Sequence, residues 1–237
     1  MSETHFRFKQ FEVSQEQCAM KINTDGVLLG AWVDVAGKKK ILDVGTGSGV
    51  IAMMLAQRSD AEHIVGVEID DDSYVEAKEN MSLCEWKDHL EAVHASVQDY
   101  SNNCDEEFDL IVSNPPFFSG GTLSATQEKT DVRHTTKLSH NDLLRAAYDL
   151  LSKDGDFAVV LPHLEGLRFV ELAEQYRFYC SQITEVNSFP EKPIARLLLN
   201  FKKKSSTLVK SNLSIRTTQD QYSDEYIALT KDFYLKM

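Results

Sequence analysis

Apolar and polar positions form two alternating patterns over residues 40–176. Continuous apolar runs, which are typical of buried strands, occur at 40–45, 63–69, 90–95, 108–113 and 157–162. Apolar residues at helical spacing occur between them, at 49–58, 143–151 and 165–176. The aspartates at 70–72 indicate the start of a further helix, because negative charge is favoured at a helix N-terminus. This alternation predicts an α/β fold whose mostly parallel sheet has helices on both faces.

The two ends of the chain depart from this alternation. Residues 179–187 and 196–203 are extended runs about eight residues apart, a gap that is too short for a crossover helix and predicts one antiparallel strand. Near the N-terminus we predict a short helix over about 25–33, capped by Asn23 or Thr24. We expect one domain in three parts: an N-terminal cap at 1–35, a core at 36–204, and an extension with a strand and a helix at 205–237.

The distribution of charge is more informative than its sum. A formal net charge of −12 argues against a surface coated with positive charge for nucleic acid. From Lys192 to Gln219, however, the chain has seven bases and no acid. This segment is either an RNA-facing strip or a strand that lysines protect from edge-to-edge aggregation. The candidate RNA contacts are Lys202, Lys203, Lys204, Lys210 and Arg216.

The remaining composition argues against several classes of protein. Four cysteines stand far apart without a C-x-x-C pair, so we expect neither a metal site nor a disulfide framework, and we favour a reducing, cytoplasmic compartment. No segment reaches the roughly 18 apolar residues of a membrane span. Residues 1–11 lack the features of a targeting peptide. We therefore expect no association with a membrane.

A glycine-rich segment, LDVGTGSG, follows the first predicted strand of the alternating region and opens a helix. Gly45, Gly47 and Gly49 permit a tight turn and let a ligand approach the backbone closely. Their spacing is G-x-G-x-G, whereas dinucleotide sites prefer G-x-G-x-x-G with a pyrophosphate at the helix N-terminus. Asp43, at the end of the strand, would repel a phosphate and can instead hold an ammonium group.

Glu68, at the end of the next strand, adds a second acid to this candidate site. A carboxylate at such a position can accept hydrogen bonds from both ribose hydroxyls of an adenosine. Together with Asp43, it predicts an adenosine whose tail is an amino acid, a description that fits S-adenosylmethionine. The alternative is an ordinary strand-to-helix turn that uses glycine for its geometry alone.

The strand at 108–113 ends in a second motif, Asn114-Pro115-Pro116-Phe117. Its prolines remove backbone donors and hold Asn114 extended, which makes a stiff corner where such sheets bind ligands. The Asn114 carboxamide oxygen and the Pro115 carbonyl can each accept one hydrogen of a planar NH2 group, on whose ring Phe117 can stack. We therefore predict methyl transfer to an exocyclic amino nitrogen, with most of the rate gain coming from positioning.

A polar stretch at 118–141 follows this corner. Loops of this length are usually functional or disordered, and we favour a loop that orders over the substrate. His134, within this stretch, is either a contact to a base or a solvated loop histidine, and the second is the commoner case.

These motifs and their surroundings resemble one family. The chain is similar to the class I S-adenosylmethionine-dependent N6-adenine methyltransferases, and most similar to the bacterial tRNA1(Val) (adenine-37-N6)-methyltransferase family. The resemblance covers nearly the whole chain, through FRFKQFEVSQEQCAMKINTDGVLLGAW, LDVGTGSG, VEID, FDLIVSNPPFF and YSDEYIALTKDFYLK. The first segment discriminates best, because class I methyltransferases share the glycine loop and several amino-methylating groups share NPPF.

The resemblance implies a Rossmann-like core, a seven-stranded sheet with an antiparallel seventh strand, S-adenosylmethionine as cofactor and tRNA as substrate. It places the target base against Asn114, Pro115, Pro116 and Phe117. The implied cofactor contacts are Lys21, Thr24, Asp43, Gly45, Thr46, Gly47, Gly49, Glu68, Ile69, Ser96, Val97 and Asn114. Relatives often have an aspartate where this chain has Ser96, so Ser96 or Asp99 would contact the cofactor adenine here. Thr24 has the alternative role of helix cap.

The sequence leaves other functions open. A methyltransferase acting on guanine N2 in rRNA, or on a glutamine amide of a protein, would use the same corner. A non-catalytic S-adenosylmethionine-binding module would keep the glycine loop without needing NPPF. A NAD-binding oxidoreductase agrees poorly with the loop spacing and with Asp43. Because one chain holds a complete candidate site, we expect a monomer.

Overall fold

The computed structural model describes residues 4–18, 20–116 and 138–236. The strands in these ranges are β1 (His5–Arg7), β2 (Glu12–Ser14), β3 (Lys40–Val44), β4 (His63–Glu68), β5 (Leu90–His94), β6 (Phe108–Ser113), β7 (Leu151–Pro162), β8 (Tyr179–Asn187), β9 (Arg196–Lys202), β10 (Val209–Ser214), β11 (Arg216–Thr218) and β12 (Gln221–Tyr222). The α-helices are α1 (Thr24–Trp32), α2 (Val50–Arg58), α3 (Asp71–Leu83), α4 (Val97–Asn103), α5 (His140–Leu150), α6 (His163–Gln175) and α7 (Asp224–Thr230).

Eight strands form one sheet in the order β10-β8-β9-β7-β6-β3-β4-β5. Strand β9 is antiparallel to both of its neighbours, and the other adjacent pairs are parallel. The α/β class and the single antiparallel strand are therefore confirmed. The sheet has eight strands where seven were expected, because β10 pairs with β8 and extends the edge. We call the edge at which the parallel strands end the carboxyl edge, and the opposite one the amino edge.

The sheet lies between two apolar layers, which explains why its central strands read as continuous apolar runs. On one face, Ile41 of β3 packs among residues of α1, α2 and α7. On the other face, the next residue, Leu42, packs among residues of α4, α5 and α6. Side chains that alternate along a strand point to opposite faces, so each strand needs apolar residues at both sets of positions.

Three local features differ from the sequence-based expectation. Helix α5 begins at His140 rather than at 143, because Ser139 caps it: the Ser139 Oγ accepts the N–H of Asp142. Helix α4 was not predicted, because it has seven residues and Val97 is its only buried one, so it shows no apolar period. Strand β7 starts at Leu151 rather than at 157, because its first half carries polar residues and a register shift against β6.

The described ranges contain neither a membrane-spanning helix nor a metal-binding cluster. No helix in the described ranges is long and apolar enough to cross a membrane. Within those same ranges, no group of three or more histidine, cysteine, aspartate or glutamate side chains is arranged to hold a metal ion. All four cysteines are free thiols.

Candidate active site

A cavity of about 320 Å³ opens at the carboxyl edge of the sheet. It lies over the loop between β3 and α2, and its walls come from the end of β4, the start of α4, the corner after β6 and the segment before α1. Most of the predicted cofactor contacts line it, namely Lys21, Gly45, Thr46, Gly47, Glu68, Ile69, Ser96, Val97 and Asn114. Asp43, Gly49 and Thr24 lie outside the lining.

The glycine loop keeps this cavity open. Gly45, Gly47 and Gly49 all have positive φ, at 72°, 56° and 83°, where a side chain is strained. A Cβ added to Gly45 or Gly47 would meet no protein atom within 4 Å, whereas one on Gly49 would come within 3.2 Å of Met81 Cε. Gly45 and Gly47 therefore leave room for a ligand, and Gly49 permits α2 and α3 to pack together.

Asp43 lies beneath the loop and is fully buried. Its Oδ2 accepts a hydrogen bond of 2.6 Å from the Thr46 hydroxyl, which fixes one wall of the cavity. Burial raises the pKa of Asp43 to about 7, against the opposing effect of hydrogen bonds from Thr46 and the Ala52 backbone. The charge beneath the loop thus changes near neutral pH.

We expect this raised pKa to make the contribution of Asp43 to stability depend on pH. An aspartate titrates near ~3.9 in the unfolded chain, so the folded state binds the proton more tightly. The stabilisation that protonated Asp43 provides is complete below that value and is lost as pH rises through about 7.

Asp43→Asn removes the titration and keeps the shape of the side chain. The free energy of unfolding of the wild type, minus that of Asp43→Asn, should fall by up to ~3 kcal/mol between pH 4.5 and 8 and then level off. Urea titrations of both proteins across this range measure the difference. A difference that stays constant with pH would contradict a buried, titrating Asp43.

Glu68 uses most of its hydrogen-bonding capacity within the protein. Oε1 accepts the N–H groups of Ile69 and Asp70, at 2.9 and 3.0 Å, and Oε2 accepts the N–H of Gly47 at 2.9 Å. A carboxylate offers about four lone-pair positions. One position on Oε2 is therefore left for a hydroxyl of a ligand, and the same oxygen holds the glycine loop.

Ser96 lines the cavity and Asp99 does not. The Ser96 hydroxyl donates to Asp99 Oδ2 at 2.6 Å and accepts the Asp99 N–H at 3.0 Å, which caps α4. Because its hydrogen is already used, Ser96 faces a ligand as an acceptor. This suits the amino group of an adenine.

The segment before α1 forms the opposite wall. Lys21 lines it, but its ammonium donates to the backbone carbonyls of Gln15 and Glu16. Asn23 caps α1 through a 3.0 Å bond from the Gly26 N–H to its Oδ1, so Thr24 is not the cap. Thr24 instead lines a second cavity.

Sequence reasoning missed the two side chains that hold this wall. The buried carboxylate of Glu76 accepts bonds from the N–H groups of Glu16 and Cys18, at 2.5 and 2.8 Å. Although burial alone raises the pKa of Glu76, hydrogen bonds from Cys18, Gln17 and Glu16 outweigh it and lower the pKa. The sequence did contain a signal: Glu76 and Asn80 are polar residues four positions apart, on the buried face of α3.

Asn80 connects the wall to the glycine loop. Its Oδ1 accepts the Ser14 N–H at 2.9 Å, and its Nδ2 donates to the carbonyls of Ser14 and Ser48, both at 2.9 Å. One buried amide therefore fixes the N-terminal segment against the loop that lies under the cavity.

The corner after β6 presents an acceptor without a partner. Asn114 lines the cavity, and its Oδ1 is buried with no hydrogen bond to any described residue. Such an atom is costly unless a ligand satisfies it, so it fits a donor such as an NH2 group. Pro116 also lines the cavity, whereas Pro115 is buried beside it. Phe117 and His134 lie outside the described residues.

The candidate RNA contacts are divided between the two edges of the sheet. Lys202 ends β9 at the amino edge, where it pairs with Asp156 at 3.3 Å. Nearby, Lys203 bonds the Leu151 carbonyl and lies over the Tyr148 ring, and Lys204 pairs with Asp154. These three do not lie beside the cavity.

The other two candidate contacts lie at opposite ends of β10. Lys210 is the second residue of this strand, near the amino edge, whereas Arg216 follows the end of the strand at the carboxyl edge.

Comparisons with known proteins show the family to which the chain belongs. A family model described as "Methyltransferase small domain" matches residues 18–189. A protein of Trichodesmium erythraeum named tRNA1(Val) (adenine(37)-N6)-methyltransferase is 46% identical, over 100% of both chains. Proteins with the same name from Pectobacterium carotovorum and Flavobacterium psychrophilum are 42% and 40% identical, over 98% of this chain and 94% and 100% of theirs.

Solved structures agree on the fold. A predicted O-methyltransferase from Agrobacterium tumefaciens superposes with a TM-score of 0.70 at 19% identity, covering 88% of this chain and 96% of the other. A putative RNA methyltransferase from Pyrococcus horikoshii has a TM-score of 0.55 at 20% identity, covering 79% and 85%. Identities this low inform on the fold alone.

The sheet order, the open glycine loop and the corner after β6 define a class I S-adenosylmethionine-dependent methyltransferase. The chain belongs to the methyltransferase small domain family and, within it, to the family of the proteins named tRNA1(Val) (adenine(37)-N6)-methyltransferase.

Proposed function

We propose that this enzyme methylates N6 of adenosine 37 in tRNA1(Val), using S-adenosylmethionine. The observation that carries the chemistry is the unpartnered Oδ1 of Asn114 at the wall of the cavity. The relatives' names supply the nucleotide and the tRNA. An adenine N6 amino group has two hydrogens to donate, which matches the two acceptor oxygens of this corner, Asn114 Oδ1 and the Pro115 carbonyl.

The cavity residues divide into groups that would hold different parts of S-adenosylmethionine. We assign the ribose to the free position on Glu68 Oε2 and the adenine to Ser96, Val97 and Ile69. Gly45, Thr46 and Gly47 would face the methionine portion, with Lys21 in the opposite wall. Asp43 and Gly49 would not contact the cofactor but would hold the glycine loop in shape. Thr24 is not assigned a contact with the cofactor.

The chemistry of transfer depends on positioning. When bound, S-adenosylmethionine supplies a methyl group that its sulfonium activates. Asn114 Oδ1 accepts one hydrogen of the adenine amino group, and the carbonyl of Pro115, next in the corner, is the second acceptor. Both bonds favour a pyramidal nitrogen with its lone pair directed out of the ring plane. Since the nitrogen can lose its proton after attack, the corner needs no strong base, and fixed orientation supplies the rate gain.

We further propose a monomer with one catalytic domain that acts in the cytoplasm. One chain provides every described wall of the cavity, and both apolar layers extend continuously over one sheet. The proposed tRNA substrate and the four free thiols support a reducing cytoplasmic compartment.

The test is methyl transfer from radiolabelled S-adenosylmethionine to unmodified tRNA1(Val), followed by nucleoside analysis. We expect N6-methyladenosine in this tRNA and none in a matched transcript with guanosine at position 37. Parallel reactions with rRNA and with protein separate the alternatives. Label recovered as N2-methylguanosine or methylglutamine would show that the substrate is rRNA or a protein rather than the proposed tRNA. Bound cofactor without transfer to any acceptor would instead indicate a non-catalytic binding module.

A further inference from the structure

A second cavity, of about 220 Å³, opens at the carboxyl edge beside the C-terminal extension. Its polar lining consists of Thr24, Arg216, Lys236, Tyr222, Tyr226 and Tyr234. Among the described residues, this lining contains two cations and no carboxylate, although acids outnumber bases 37 to 25 in the chain. A positive pocket in an acidic protein favours an anionic ligand.

Arg216 is held in place for such a ligand. Its guanidinium carbon lies 4.2 Å from the centroid of the Tyr222 ring, and Nη1 donates to the Gln219 carbonyl at 2.8 Å. A guanidinium has five N–H groups in a fixed fork that suits phosphate. The Gln219 bond uses one of them and fixes the orientation of the rest.

The tyrosines hold Arg216 in position and add hydroxyl donors. The Tyr222 ring lies 5.2 Å from that of Tyr226 at 29° between planes. The Tyr222 ring therefore packs against both the guanidinium and the Tyr226 ring, and this stack fixes the position of Arg216. Burial raises the pKa of both Tyr226 and Tyr234, so both hydroxyls stay protonated. The neighbouring Tyr234 hydroxyl adds to the rise in the pKa of Tyr226.

The first turn of α1 contributes residues to the walls of both cavities. Asn23 and Gly26 line the first cavity, and Thr24 lines the second. Consecutive residues of a helix rise by only ~1.5 Å along its axis, so the two cavities are separated by no more than the width of this helix turn. A polynucleotide with one base at Asn114 would have adjoining nucleotides within reach of Arg216.

We propose that the second cavity binds a phosphodiester of the tRNA strand near the target adenosine. Arg216 and Lys236 contact the phosphate, and the Tyr222 ring holds the Arg216 guanidinium in place for it. This proposal rests on the proposed function, because it takes the ligand to be part of the same RNA. It also separates Arg216 from the lysines at the amino edge, which are paired with protein groups.

The experiment compares Arg216→Gln and Lys236→Gln with the wild type. Binding of unmodified tRNA1(Val) transcript is measured by fluorescence anisotropy over a series of salt concentrations, and binding of S-adenosylmethionine by calorimetry. Each variant should weaken tRNA binding roughly tenfold and reduce the slope of log Kd against log salt by about 1. Cofactor affinity should not change. Lys153→Gln, which removes the same charge from an exposed site at the amino edge, is the matched control.

The outcomes separate the two proposals. If Arg216→Gln fails to fold, Lys236→Gln still decides, because Lys236 is exposed at the end of the chain. Wild-type methylation of tRNA, together with unchanged tRNA affinity and salt slope in every folded variant, would overturn the phosphodiester site alone. A wild-type protein that neither binds nor methylates tRNA would overturn the proposed function and this site with it. An effect of equal size in Lys153→Gln would indicate a general charge effect and also overturn the site.

Discussion

Replacing Asn114 by alanine should lower the rate of methyl transfer by on the order of 10²–10³-fold, the range seen when one positioned polar group of an active site is removed. The physical reason is the loss of the acceptor that orients the amino nitrogen. Affinity for S-adenosylmethionine should stay within a few fold, because the glycine loop and Glu68 are untouched. Single-turnover methyl transfer gives the first quantity, and calorimetry gives the second.

Asn114→Asp is the matched variant. It keeps an oxygen acceptor at the same place, so its loss of rate should be clearly smaller than that of Asn114→Ala. Equal losses in the two variants would mean that the acceptor oxygen is not the important group. Unchanged turnover in Asn114→Ala would remove the residue from the catalytic assignment.

Gly47→Ala should weaken binding of S-adenosylmethionine roughly 10- to 100-fold, the cost of crowding a filled site with one extra carbon. Gly47 has a φ of 56° and lines the cavity, and its missing Cβ would meet no protein atom within 4 Å. The new methyl group therefore lies in space that a ligand needs. Calorimetric titration with the cofactor measures the effect.

Gly37→Ala separates strain from crowding. Gly37 has a φ of 71° and equally open surroundings, but it lies outside the cavity, in the turn before β3. Both variants should lose ~1–2 kcal/mol of stability from the left-handed backbone. Only Gly47→Ala should lose cofactor affinity. Parallel losses of affinity would show that backbone strain, rather than space for the ligand, is the cause.

The elements that could be predicted are those whose residues carry their own signal. Strands such as β3 and β6 are buried on both faces and read as apolar runs, and the gap between β8 and β9 reveals the antiparallel return. Helix α4 and the first half of β7 carry mostly polar residues, so their structure follows from pairing and capping rather than from a period. Strand β10 belongs to the main sheet because it pairs with the otherwise unpaired edge of β8.

The same distinction holds for the site. The residues of the glycine loop, Glu68 and Asn114 lie in short motifs whose spacing implies their location. Glu76 and Asn80 could not be assigned this way, because their partners are about 60 residues away in sequence, at Glu16 and Ser14. Lys202 lies at the amino edge and Arg216 at the carboxyl edge because of the directions of β9 and β10. These directions could not be predicted from the distribution of charge along the sequence.

The N-terminal segment that fastens the cavity wall has a consequence for the order in which the enzyme is completed. Phe8 forms a bridge with Tyr234, and the Lys9 N–H bonds the Phe233 carbonyl at 2.8 Å. Residues 8 and 9 therefore wait for partners that are translated much later, and contacts so distant along the chain form slowly. The wall can be fastened fully only after residue 234 has left the ribosome. A nascent chain is thus expected to hold a formed sheet before it can hold its methyl donor.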